Sequence, residues 1–123
     1  MRKLFLAAAL LLASPALAQQ GNKNSSPYVE PLGYCQLTSV SVATAFSSCS
    51  GGVPANSAWA KIISESAAWR WRDDGVAPTA TVGFPENANA PFYYSGSFAN
   101  LQVIPQNGST TFDIVFYAGA PPL

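Results

Sequence analysis

The sequence contains no histidine in 123 residues and little charge, with six Lys and Arg against six Asp and Glu, 10% in all. Without imidazole, every catalytic mechanism that depends on it is excluded, as is every His-ligated metal site. Charge far below the roughly 25% of ordinary globular proteins leaves no basic patch for nucleic acid. Intrinsic disorder needs high charge and low hydrophobicity, and this chain is 49% hydrophobic. There is no Gly-x-Ser-x-Gly nucleophile elbow, no phosphate-binding loop and no Cys–His pair. Six acids could in principle supply the carboxylate pair of a glycoside hydrolase, but nothing singles out a pair. The expectation is a protein that is not an enzyme and needs no cofactor or metal.

Long apolar runs are also missing. The longest, Leu4 to Ala13, has ten residues, too few to span a bilayer as a helix, which needs about 20. It follows Arg2 and Lys3, ends before Pro15, and is succeeded by Ala16-Leu17-Ala18. A positive region, an apolar core and small residues at a cleavage site are the three parts of a secretory signal peptide. Residues 1–18 are therefore predicted to be removed after Ala18, leaving a secreted or periplasmic bacterial protein with no membrane segment. From Gln19 onward there are four positive and six negative side chains, a net charge of −2. That balance gives no electrostatic reason to bind nucleic acid or anionic lipid.

Only two cysteines are present, Cys35 and Cys49. In an exported chain they allow a single intramolecular pairing, and the compartment favours oxidation. Neither has a charged residue within four positions to activate a thiol. A disulfide closing a loop of about 15 residues is expected.

Long helices have little room, since the chain from Gln19 carries nine prolines and nine glycines. Gln19 to Gly33 reads as a polar, flexible leader. From Tyr34 the texture is short apolar runs between turn residues, which predicts strands. Gln36–Val42 is rich in Thr, Ser and Val, and Ala43–Ser47 could continue it. Phe92–Ser95 is short and aromatic. Phe98–Ile104 puts Ala99, Leu101 and Val103 on one face. Thr110–Tyr117 alternates most clearly, with Phe112, Ile114 and Phe116 opposite Asp113, Val115 and Tyr117. The intervening Gln106-Asn107-Gly108-Ser109 is a turn signal, so residues 98–117 are predicted to form a β-hairpin. Residues 57–72 fit a helix capped by Ser57 or two strands, 58–64 and 67–72. The alternation of Trp69 and Trp71 with Arg70 and Arg72 favours the strands. The predicted fold is all-β: one antiparallel, jelly-roll-like β-sandwich over residues 34–118, with a short tail at 119–123.

The densest polar cluster is Arg70-Trp71-Arg72-Asp73-Asp74-Gly75. Asp-Gly after an alternating stretch marks a turn, and the arginines are expected to pair with the adjacent acids. Two neighbouring carboxylates cannot supply the 6–8 oxygens that calcium takes. The remaining candidates are aromatic. Phe92, Tyr93 and Tyr94 cannot all face one way in a strand, so one ring should point outward. Trp69, Trp71, Tyr93 and Tyr94 are candidate interface or ligand residues, together with Arg70, Arg72, Asp73 and Asp74. They could anchor a protein contact, by self-association or on a particle surface, or stack on a glycan.

The stretch from Arg70 to Gly75, followed by Pro78-Thr79-Ala80-Thr81-Val82-Gly83, resembles a segment of small phage- and prophage-associated β-sandwich proteins. In those an Arg-aromatic-Arg-Asp-Asp-Gly hairpin leads into a Pro-Thr-Ala-Thr-x-Gly loop. Tyr94-Ser95-Gly96 and the aromatic last strand, Phe112 to Tyr117, extend the similarity over roughly residues 35–117. The resemblance implies a compact β-sandwich and a virion structural or accessory role. A signal peptide and a cysteine pair depart from a cytoplasmically assembled virion protein. They point to an exported relative that reuses the fold as a non-enzymatic binding or structural module, with a secreted carbohydrate-binding domain as the alternative.

Overall fold

Nine-residue alternation in the last strand sets up the architecture. In the computed structural model, which describes residues 29–121, Phe112, Ile114 and Phe116 are fully or almost fully buried while their neighbours are half-exposed. The signal peptide at 1–18, the leader up to residue 28 and the last two tail residues lie outside the described residues.

Eight strands form two antiparallel four-stranded sheets. They are β1 (Glu30–Val40), β2 (Thr44–Ala45), β3 (Trp59–Ser64), β4 (Trp69–Arg72), β5 (Phe84–Glu86), β6 (Phe92–Tyr94), β7 (Gln102–Pro105) and β8 (Thr110–Ala118). One sheet runs β1-β8-β3-β6, the other β2-β7-β4-β5. The pairs 1 with 8, 2 with 7, 3 with 6 and 4 with 5 are nested. The chain is thus a long folded-over ribbon whose successive strands change sheet at every step except β4 to β5, where it folds back on itself, the topology of an eight-stranded jelly roll.

This topology corrects the expected hairpin. β7 and β8 are consecutive but pair in opposite sheets, β7 with β2 and β4 and β8 with β1 and β3. Turn residues 106–109 therefore connect the two sheets. Local turn chemistry could not reveal this, because a sheet-to-sheet corner uses the same Gly and Asn as a hairpin. The two strands expected within 57–72 exist, and they too lie in different sheets.

Several boundaries differ as well. β1 begins at Glu30, inside the segment read as leader, where Glu30 pairs with Ala118. It ends at Val40 after an irregularity between Leu37 and Val40, with Ser39 at φ 51°. Residues 43–47 do not continue it: Thr44–Ala45 joins the other sheet and Phe46–Ser48 forms a 3₁₀ turn. At the β6–β7 connection, residues 98–100 form a turn, with Asn100 and Leu101 N–H groups both donating to the Ser97 carbonyl. Ala99 is exposed, although Leu101 and Val103 are buried as their alternation implied.

The inner faces meet in one core. Trp69, on β4, packs edge-on against Phe112 of β8 at 5.2 Å and Phe92 of β6 at 5.6 Å. Phe46 meets Phe116 edge-on at 6.3 Å. Where the chain crosses from β3 to β4, buried Ser64 donates to the Ala67 carbonyl and shares a 3.0 Å hydroxyl contact with buried Thr110. Those bonds satisfy polar groups that would otherwise be costly to bury.

Cys35 of β1 is joined to Cys49, which follows the 3₁₀ turn, so the disulfide ties one sheet to the segment leaving the other. Its sequence separation of 14 corresponds to about 3 kcal/mol in the chain-entropy model. Reduction, or Cys35→Ser with Cys49→Ser, is expected to lower unfolding free energy by about that much in urea titrations, with the β-sheet circular dichroism retained. An unchanged urea midpoint would contradict this role.

Candidate functional site

The polar cluster around Arg70 resolves into a set of clamps. In β4 the side chains alternate as expected: Trp69 and Trp71 face the other sheet, and Arg70 and Arg72 face outward. Only one arginine pairs with a neighbouring acid. Arg72 Nε donates to Asp74 Oδ1 at 3.0 Å and Arg72 Nη2 to Asp74 Oδ2, a two-pronged contact. Asp74 Oδ1 also accepts the Val76 N–H at 3.2 Å, closing the turn at Gly75, where φ is +82°. These contacts hold the Asp74 carboxyl below its ordinary range, chiefly through Arg72, and raise the Arg72 guanidinium.

Arg70 departs from expectation. It donates to the Ala80 carbonyl at 3.1 Å and the Gly83 carbonyl at 2.8 Å. The Pro78–Gly83 segment is thereby pinned against β4, with Thr79 and Val82 exchanging backbone hydrogen bonds at its tip. Gly83 has φ +132°, and a Cβ there would come within 3.0 Å of the Trp71 carbonyl oxygen.

Asp73 turns the other way and accepts the Tyr94 hydroxyl at 2.9 Å. Burial, and then Asp73, push the Tyr94 phenol above its ordinary value. The backbone passes so close to this ring that a Cβ on Gly96 would lie 2.6 Å from Tyr94 Cζ. The Arg-Trp-Arg-Asp-Asp-Gly, Pro-Thr-Ala-Thr-Val-Gly and Tyr-Ser-Gly stretches are thus one connected unit, and the two adjacent carboxylates serve different partners.

Among the candidate rings, Trp69 and Tyr94 are buried and offer no surface, which corrects their selection. Both fall on inward positions of strands whose other sheet covers them. Trp71 is half-buried. Tyr93 is 49% exposed, the outward ring that alternation required.

The structure adds residues the sequence did not mark. Phe84, 61% exposed, stacks on Trp71 at 4.9 Å and 30°. With Val82, Gly83, Arg72, Asp73 and Asp74 it lines a cleft of about 300 Å³ at the end of the β4–β5 sheet. A single Phe between Gly and Pro carries no periodic signal.

A second surface is the outer face of the β1-β8-β3-β6 sheet. Its register lays out three rows: Pro31, Tyr117 and Trp59; then Tyr34, Val115, Lys61 and Tyr93; then Gln36, Asp113 and Ile63. Trp59 stacks on Tyr117 at 4.1 Å and leans on Tyr93 at 6.0 Å. Tyr34 donates to Asp113 at 2.5 Å, and Gln36 Nε2 reaches the same carboxylate at 3.0 Å. The outward alternation of Val115 and Tyr117 was visible in β8, but which strands flank them was not. The other sheet presents Arg70, Arg72, Gln102 and Ile104 outward, a more polar face.

In comparisons with known proteins, no family model, no curated protein and no solved structure matches the chain.

Two outcomes follow from the Tyr94 clamp. Gly96→Ala is expected to cost about 1–3 kcal/mol by overpacking, and less in a Tyr94→Phe background, as a double-mutant cycle in urea would show. Additive losses would place the strain elsewhere. A phenol whose pKa is raised on folding contributes stability that is present below the unfolded value of about 10 and lost as pH rises beyond it. Unfolding free energy is therefore expected to fall above pH 10, and less steeply in Tyr94→Phe. An identical slope in the variant would refute the assignment.

Proposed function

We propose that this protein is an exported, non-catalytic module that works by assembling with further copies of itself through the outer face of the β1-β8-β3-β6 sheet. The observation that carries this reading is the row structure of that face. Tyr117, Trp59 and Tyr93 form a fixed aromatic strip, exposed at Tyr93, beside Val115 and Lys61. Aromatic residues enclosed by a polar rim are the composition of a protein interface.

Charge favours a second copy as the occupant. Lys61 shares the face with Asp113 and Glu65, yet Arg72–Asp74 is the only ion pair among the described residues. In a two-fold arrangement Lys61 of each copy can face the acids of the other, the reciprocity that an isologous interface requires. Export is supported by the signal pattern at residues 1–18 and by a formed disulfide, which fits an oxidising compartment. Three of the carboxylates have structural partners, Asp74 with Arg72, Asp73 with Tyr94 and Asp113 with Tyr34, which supports a role without catalysis. The resemblance to phage- and prophage-associated proteins extends the same reading to attachment on a particle surface.

Sedimentation of the purified exported protein over a range of concentrations tests this. The expected result is a concentration-dependent oligomer, weakened about tenfold or more in Kd by Lys61→Glu or Tyr93→Ser. A species that remains monomeric up to about 1 mM would overturn it.

A further inference from the structure

The cleft beside Phe84 lies on the other sheet, away from the proposed assembly face, and its construction points to a small ligand. A phenylalanine ring left mostly in solvent is ordinarily mobile. This one is backed by Trp71, which is itself fixed by Phe92 at 5.2 Å, by Tyr94 at 5.7 Å and by its indole N–H donating to Glu86 at 3.3 Å. One face of Phe84 is therefore held and the other is open.

The polar lining is equally fixed. Arg72 spends two of its N–H donors on Asp74 and keeps the rest. Asp74 is steadied by Val76 N–H, and Asp73 by the Tyr94 hydroxyl, which leaves its second oxygen unengaged by that bond. The opposite wall, Val82 and Gly83, is pinned by Arg70 through the Ala80 and Gly83 carbonyls. A flat apolar ring, unspent donors and unspent acceptors thus adjoin one another before any ligand arrives, so little ordering cost attends binding.

We propose that this cleft binds one neutral sugar ring of a glycan. The C–H face of a pyranose matches the open face of Phe84. Its neighbouring hydroxyls, each both donor and acceptor, match Arg72 beside Asp73 and Asp74. Two carboxylates against one guanidinium disfavour an anionic ligand. A volume of about 300 Å³, at the lower end of ligand pockets, admits a single ring. Because Trp71 stacks behind Phe84, occupancy should change its fluorescence.

The test titrates the exported protein with neutral tetrasaccharides built from glucose, mannose and N-acetylglucosamine, read by calorimetry and by tryptophan fluorescence. Binding at about millimolar Kd or tighter is expected for at least one of them. Phe84→Ala and Arg72→Gln should each weaken it about tenfold or more, while Phe84→Tyr retains it. Trp71→Phe should abolish much of the fluorescence change, which assigns the optical signal to the ring behind Phe84. Phe84 is exposed, so its variants should keep the wild-type melting temperature, which is checked in parallel. Absence of calorimetric binding by all three sugars, or binding unaffected by both Phe84→Ala and Arg72→Gln, would overturn the proposal. Either result leaves the assembly measurement independent, since Lys61 and Tyr93 lie on the other sheet.

Discussion

The inner face of β8 packed against Trp69 is the contact on which the rest of the structure depends. β8 lies between β1 and β3, so Phe112, Ile114 and Phe116 sit in the middle of their sheet. Trp69 meets Phe112 from the facing sheet and is itself wholly buried, while Phe46 and Phe98 meet Phe116. Burying a side chain of this size contributes roughly 1.5–3 kcal/mol, and a whole row of them decides which face of every neighbouring strand turns inward. Once Phe112 faces Trp69, Ile62, Ala60 and Tyr94 are inward by register, and Lys61, Val115 and Tyr93 are outward.

A small core leaves the loops to be held by other means. With little charge available, the chain uses several of its charged groups to close turns and loops. Arg70 secures a loop through two carbonyls, Arg72 closes a turn through Asp74, and Asp73 anchors the hydroxyl of a buried tyrosine. Exposed ion pairs taken singly contribute little. Here the gain is geometric: the β4–β5 loop has a defined shape, and the cleft beside Phe84 is a product of that shape.

The two sheets consequently present different outer surfaces. One carries aromatics and a mixture of charges along its rows, and the other ends in a cleft built from loop residues. A jelly roll allows this division because β1, β3, β6 and β8 feed one sheet and β2, β4, β5 and β7 the other, so the two surfaces draw on separate segments. Fold alone fixes neither use, and the chemistry of each surface carries its own argument.

Alternation is a local property, legible in the order of residues alone. It yielded the all-β class, strands read at 58–64, 67–72, 92–95 and 110–117 that end within two residues of the observed ones, the shared face of Phe112, Ile114 and Phe116, and one outward ring among Phe92, Tyr93 and Tyr94. The two cysteines left one pairing. Partner choice was not local. That β7 and β8 part to opposite sheets, that Arg70 binds a loop ten residues ahead, that Asp73 meets Tyr94, and that Phe84 stacks on Trp71 all depend on contacts between segments distant in sequence. Residue order determined which faces are apolar. Only the burial of those faces against one another decided which strands became neighbours, and so which exposed residues stand side by side.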